Sequence, residues 1–310
     1  MASETKPYVI SAITANFAIA GAKLLAGLAG HSSAMLAEAL HSGIDGFNDL
    51  LLLFGLKRSR RPADEQHPFG YGKELYFWAL IVSCSVFAIG GCVTVVEGIR
   101  RMLRPEPLRG IGWDFFALGC GAAFDAGSLI YSVRKFRKQN QGKKFREAVA
   151  ETKDPAPLMV IAEDSAAILG EGIAAAGIAA QMLGWRYGDG VASVLIGCLL
   201  GSVAVFLMAQ NRDLIIGESV DDEISKVIRE IAVRRGRFTR VRSAQSIHFG
   251  PDAVLVTLEA EFDPERRAGE LIDTVDEIQK EIRDRYPTVC FIFVDPETAK
   301  GRESKLPKAS

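Results

Sequence analysis

Apolar residues run through this chain in six long stretches, 8–29, 33–56, 75–101, 111–133, 157–183 and 190–210. Each is close to the 20 or so residues that a helix needs to cross a hydrocarbon layer of about 30 Å. The texture changes after Arg212. Residues 221–235 read as a helix, and in 253–262 the alternation of Val254, Val256, Leu258, Ala260 and Phe262 with polar neighbours predicts a strand. Further strands at 241–249 and 289–294, and a helix carrying Leu271, Ile272, Val275, Ile278 and Ile282 on one face, complete an αββαβ order with the helices on one face of a small sheet. The expected fold is a mainly α membrane protein, a six-helix transmembrane bundle followed by a small α+β domain. The boundaries fall at 1–212 for the bundle, 213–299 for the αββαβ domain and 300–310 for a polar tail that reads as disordered.

Composition sharpens this picture. Hydrophobic residues make up 48% of the chain and the mean hydropathy is +0.14, high for a soluble protein of this size. The formal charge of -1 conceals an uneven layout, sparse in 8–56 and 155–211 and dense in 134–153 and 221–288. The connection between the second and third stretches carries Lys57, Arg58, Arg60, Arg61 and Lys73. The one between the fourth and fifth runs from Arg134 to Lys153 with eight basic residues. The excess of basic residues puts both connections, and with six spans both termini, in the cytoplasm. An integral multi-pass protein of the cell (inner) membrane is the expectation for a bacterial chain. Only Lys6 precedes the first stretch and no cleavage pattern follows it, so it reads as a retained span. Glycines such as Gly91, Gly177, Gly197 and Gly201 suit close helix approach in lipid. The five cysteines form no CxxC pair, and Cys84, Cys92, Cys120 and Cys198 read as small core residues.

Charge inside a span is costly, so each instance invites a functional reading. In the second stretch Glu38, His41, Asp45, Asn48 and Asp49 follow one another at three, four, three and one residues. At about 100° per residue they share one arc of a helix. One reading is a polar stripe that only joins helices. The other is a cation site, since an imidazole and a carboxylate one turn apart can meet one borderline-soft ion, whereas magnesium and calcium prefer cages of oxygen alone. The fifth stretch supplies Glu163 and Asp164, with Glu171 seven residues further on; Glu97 and Asp125 stand apart. There is no P-loop, nucleophile elbow or HExxH, so no enzyme is indicated.

The stretches, the "HSGID" motif, the "RRPADEQHPFGYGKE" connection and the αββαβ tail together resemble the cation diffusion facilitator family over about residues 8–296. "DPAPLMVIAEDSAAILG" and "NRDLIIGESVDDE" are similar to its zinc transporter 9-like branch. The resemblance implies a homodimer that exports a divalent transition metal from the cytoplasm, zinc first and then manganese, cobalt or iron, commonly in exchange for protons. The metal is the transported substrate. Partners are the lipid bilayer, the ion and protons, with no organic cofactor and no nucleic acid. The family's site pairs a His or Asp with an Asp four residues later in spans two and five. His41 and Asp45 match the first pair and Asp164 the second, but Val160 stands where its partner would be. The fourth position then falls to Glu163, Asn48, Asp49, water or nothing. A membrane-embedded metal sensor without transport is the alternative. In the connection the family's Asp, His, His pattern reads Asp64, His67, Tyr71, and His248, alone in its domain, reads as a surface residue.

Overall fold

Runs of Ala, Leu, Ile and Val favour long helices wherever lipid removes the competition of water for backbone hydrogen bonds. A computed structural model of the chain describes residues 2–30, 33–105, 111–220, 222–235, 240–262, 265 and 267–297. Its helices are α1 (Ala2–Gly30), α2 (Ser33–Arg58), α3 (Glu74–Leu103), α4 (Ile111–Gln139), the short α5 (Phe145–Glu151), α6 (Pro155–Met182) and α7 (Gly188–Ile216). Helix α6 starts where it does because the Asp154 carboxylate accepts from the Ala156 amide at 3.2 Å while Pro155 occupies the first turn, where its missing N–H costs nothing. Among the described residues three segments, Glu74–Leu103, Asp114–Gln139 and Gly188–Ile216, are long and apolar enough to cross a membrane by length and composition, and Val9–Leu25 is a shorter apolar stretch. Helices α2 and α6 bring most of the acidic side chains into the bundle, and α4 adds Asp125.

The described residues divide into two compact units: those up to Arg61 with Glu74–Asp213, and Pro62–Lys73 with those from Leu214 onward. In the first unit Val9, Leu52, Leu56, Leu75, Ala79 and Met159 build an apolar core where α2 ends and α3 and α6 begin. Beside it Phe136 and Leu158 pack with Ala148 of α5. Helices α3 and α7 meet along glycines. A Cβ on Gly91 would lie 3.1 Å from Gly201 Cα, and one on Gly98 would lie 2.7 Å from the Val194 amide nitrogen. In hydrocarbon, such backbone approach supplies the dispersion contact that water-driven burial cannot. Residues Val86–Val93 of α3 widen into a π-helix, a local irregularity often found beside functional sites. Large apolar side chains cover the outside, Leu25 at 70% and Val96 at 66% exposure among them, as lipid-facing surfaces require. Cys84, Cys92 and Cys198 are exposed on the bundle and Cys120 is half-buried, contrary to the core expectation. A small apolar residue is as well accommodated by lipid as by protein.

The second unit contains α8 (Asp222–Arg235), β1 (Arg240–Gly250), β2 (Ala253–Glu261), α9 (Ala268–Arg285) and β3 (Val289–Glu297). β2 is central, antiparallel to β1 and parallel to β3. Its alternating residues Val254, Val256, Leu258 and Ala260 are at most 1% exposed, and they pack with Ile228, Ile231, Ile278 and Ile282 of the helices. Ile272, expected on the inner face of α9, is 62% exposed, and Thr274, Ile278 and Ile282 are buried instead. A step of one residue turns a side chain by about 100°, which carries Ile272 off the stripe. His248 is buried at 7% exposure rather than lying on the surface, because its strand is covered by the segment at Glu218, whose carbonyl accepts from the His248 amide at 3.0 Å. The expected tail 300–310 lies outside the described residues.

Candidate cation site

Helical periodicity turns Asp45, Asn48 and Asp49 of α2 to the interior, and the first unit encloses a cavity of about 170 Å³ that they line. Helix α6 contributes Val160, Glu163, Asp164 and Glu171, helix α1 Asn16 and Lys23, and helix α4 Asp125. The π-helical part of α3 faces the same space with Val86, Ile89 and Gly90. Five of the six candidates read from the sequence, Asp45, Asn48, Asp49, Glu163 and Asp164, therefore share one cavity. The sixth, His41, belongs to α2, but its side chain lies outside the described residues, as does that of Glu38.

Asn48 and Asp49 are buried, at 4% and 3% exposure. Asn16 donates its side-chain amide to Asp49 Oδ2 at 2.8 Å, which orients that carboxylate toward its neighbours. Glu163 Oε1 and Asp164 Oδ2 are shut off from solvent and have no hydrogen-bond partner among the described residues. Ser128 of α4 lies beside Asp164. The carboxylates of Asp45, Asp49, Glu163 and Asp164 are close enough to repel one another. Unpartnered buried oxygens in a mutually repelling group are expensive, and a bound cation relieves both costs at once. Among the described residues no three His, Cys, Asp or Glu side chains are already drawn into a ligand cage. An ion would have to draw these oxygens together. Val160 is 1% exposed and lines the cavity one turn before Asp164, so the position that lacks a ligand is in the site and apolar.

The connection between α2 and α3 is built differently. Asp64 Oδ1 accepts from the amides of Gln66 and His67, at 3.1 and 2.7 Å, and Oδ2 accepts from the Tyr71 hydroxyl at 2.6 Å. These bonds hold the Asp64 carboxyl below its ordinary value, the Tyr71 hydroxyl contributing most. Both oxygens are engaged in shaping the turn. Phe69 stacks on Phe249 at 4.8 Å, and Lys73 donates to the Ile215 carbonyl at 3.0 Å.

Asn16 and Lys23 were not evident as site residues from sequence. Their spacing of seven, two turns of one helix face, was the available signal.

Apolar helices carrying an acidic cavity within the bundle mark an integral, multi-pass membrane protein. Residues 9–216 match the model of the cation efflux transmembrane domain, and the chain belongs to the cation efflux family, whose members are transporters and not enzymes. It is 33% identical over 225 residues to metal tolerance protein C4 of Arabidopsis thaliana, covering 71% of this chain and 49% of that protein. It is 30% identical over 244 residues to the mitochondrial proton-coupled zinc antiporter SLC30A9 of Xenopus laevis, covering 78% of this chain and 44% of that one. The chain thus spans about half the length of these two relatives. To the manganese efflux system protein MneP of Bacillus subtilis it is 25% identical over 308 residues, covering 96% and 99% of the two chains.

Proposed function

We propose that the protein exports a divalent transition metal from the cytoplasm, zinc before manganese, cobalt or iron, by alternating access with protons moving in the opposite direction. The observation that carries this reading is the cavity in which Asp45, Asn48 and Asp49 of α2 meet Glu163 and Asp164 of α6, with buried oxygens left over for an ion. In the proposed cycle His41, Asp45 and Asp164 bind the ion, and Glu163, Asn48, Asp49 or water completes a four-coordinate shell in place of the ligand missing at Val160. Ligands must shed protons to bind metal, so protons arriving from the opposite side displace it. Rocking of the helices around a site near mid-membrane then exposes it to each face in turn. Six spans with both termini in the cytoplasm, and a homodimer joined through the C-terminal unit, complete the proposal. Zinc and proton coupling gain support from the name of the antiporter relative, and manganese from that of the efflux protein.

Metal accumulation by proteoliposomes tests it, with zinc, manganese, cobalt and iron(II) offered in turn and the pH gradient imposed or collapsed. Zinc is expected to accumulate fastest and to depend on the gradient. Zinc that binds the reconstituted protein without crossing would refute transport and point to the sensor.

A further inference from the structure

Lys23 is buried at 6% exposure in an apolar helix, a position that a charge occupies only with partners. Its ammonium group donates to Ser42 Oγ on α2 at 3.4 Å. Helix α4 leaves room on its other side. A Cβ on Gly121 would collide with Glu171 Oε1 and stand 3.6 Å from Lys23 Nζ. The two opposite charges therefore lie within about 6 Å of each other, close enough to attract one another where water is excluded. Among the described residues that line the cavity, Lys23 is the one basic side chain, and it faces six carboxyl groups.

The pair also has a definite level in the bundle. Glu171 is seven residues past Asp164 on α6, and Lys23 is seven past Asn16 on α1, each about 10 Å along its helix. In the other direction from the carboxylates the helices pack an apolar cluster, Leu52, Leu56, Leu75, Ala79 and Met159 among them, near the ends of α2, α3 and α6 that the basic connections join. The two ends of the cavity are thus unlike. Toward one end several helices pack an apolar cluster, and toward the other Lys23 and Glu171 stand together beside Gly121, with the lining continuing to Ala174.

We propose that Lys23 and Glu171 form the closure of the cation cavity toward the face opposite the basic connections, a pair that parts when the ion leaves. While the pair holds, the ammonium charge repels a divalent ion and keeps it at the carboxylates of Asp45, Asp49, Glu163 and Asp164. Parting frees the Glu171 carboxylate on the exit side and lets Lys23 move out of the ion's route. The nature of the ion rests on the transport reading, but the closure involves only side chains of this chain and is tested without metal.

The test uses full-length protein with its five cysteines replaced and one new thiol, Ala167→Cys between Asp164 and Glu171 or Ala174→Cys beyond Glu171, reconstituted without metal. A membrane-impermeant thiol reagent is added from the face opposite the basic connections. In Lys23→Met and in Glu171→Gln the thiol at 167 is expected to react about tenfold faster, equivalent to about 1.4 kcal/mol lost from the closed state, with the thiol at 174 unchanged. The exchange of Lys23→Glu with Glu171→Lys should restore slow labelling at 167. Unchanged labelling at 167 in both single variants, with 174 reacting at its original rate to show a folded bundle, overturns the closure, as does an exchange variant that stays fast. Zinc calorimetry on the same variants separates the two readings. Faster labelling in a protein that binds no zinc upholds the closure and contradicts the transport reading.

Discussion

Asn16 offers a perturbation whose size follows from the structure. Its amide donates to Asp49 Oδ2 at 2.8 Å, and Asp49 is 3% exposed. Asn16→Leu keeps the volume nearly constant and removes the donor. A hydrogen bond to a charged group is worth about 1.5–3 kcal/mol, and its loss also frees Asp49 to rotate away from Asp45 and Asp164. At 1.4 kcal/mol per factor of ten, zinc affinity should fall about 10- to 100-fold, the range found when partners behind metal ligands are removed. The assay is zinc calorimetry on purified protein, with Asn16→Asp beside it to show what an acceptor in place of the donor does; it should bind zinc no better than Asn16→Leu. A dissociation constant for Asn16→Leu within about twofold of the original, in protein of unchanged thermal stability, would refute the idea that Asn16 holds Asp49 ready for the ion.

Gly98→Ala places a methyl group 2.7 Å from the Val194 nitrogen and 2.8 Å from the Gly190 carbonyl oxygen; forcing α3 from α7 should cost about 1–3 kcal/mol, seen as a lower unfolding temperature in detergent, and an unchanged temperature would count against the glycine seam. Val160→His puts an imidazole one turn before Asp164 and should tighten zinc binding about tenfold or more, whereas weaker binding in a folded variant would place residue 160 outside the coordination shell. Tyr71→Phe removes the main bond that keeps the Asp64 carboxyl low. A depressed acid stabilises the folded connection above its unfolded value near 3.9, and that contribution disappears as pH falls through the depressed value. The variant should therefore lose the ordered turn at higher pH than the original, and an unmoved carboxyl midpoint by NMR would refute the role of Tyr71.

Which parts of this architecture could be read from sequence depended on how far each signal was local. The period of two in Val254, Val256, Leu258 and Ala260 fixed the inner face of β2 because one side of the sheet is buried. The period of 3.6 brought Asp45, Asn48 and Asp49 to one face of α2, and they line the cavity together. Ile272 misled because apolarity alone does not fix helix phase, and His248 because its cover comes from a segment distant in sequence, at Glu218. Asn16 and Lys23 each look isolated in an apolar stretch; they acquire meaning from Asp49, Ser42 and Glu171 on other helices. The π-helix at Val86–Val93 has no marker in periodicity, since its residues are apolar on every side. Val160 was legible as a missing ligand, but its consequence depends on how Glu163 and Asp49 approach an ion, which no spacing encodes.

The most direct test of the central claim is zinc flux into proteoliposomes under an imposed pH gradient, measured side by side for the original protein, Asp45→Asn and Asp164→Asn. If the cavity between α2 and α6 is the transport site, the original protein accumulates zinc and both variants lose that flux while remaining folded and correctly inserted. Flux retained at the original rate in either variant would contradict the account and move the ion's path away from this cavity.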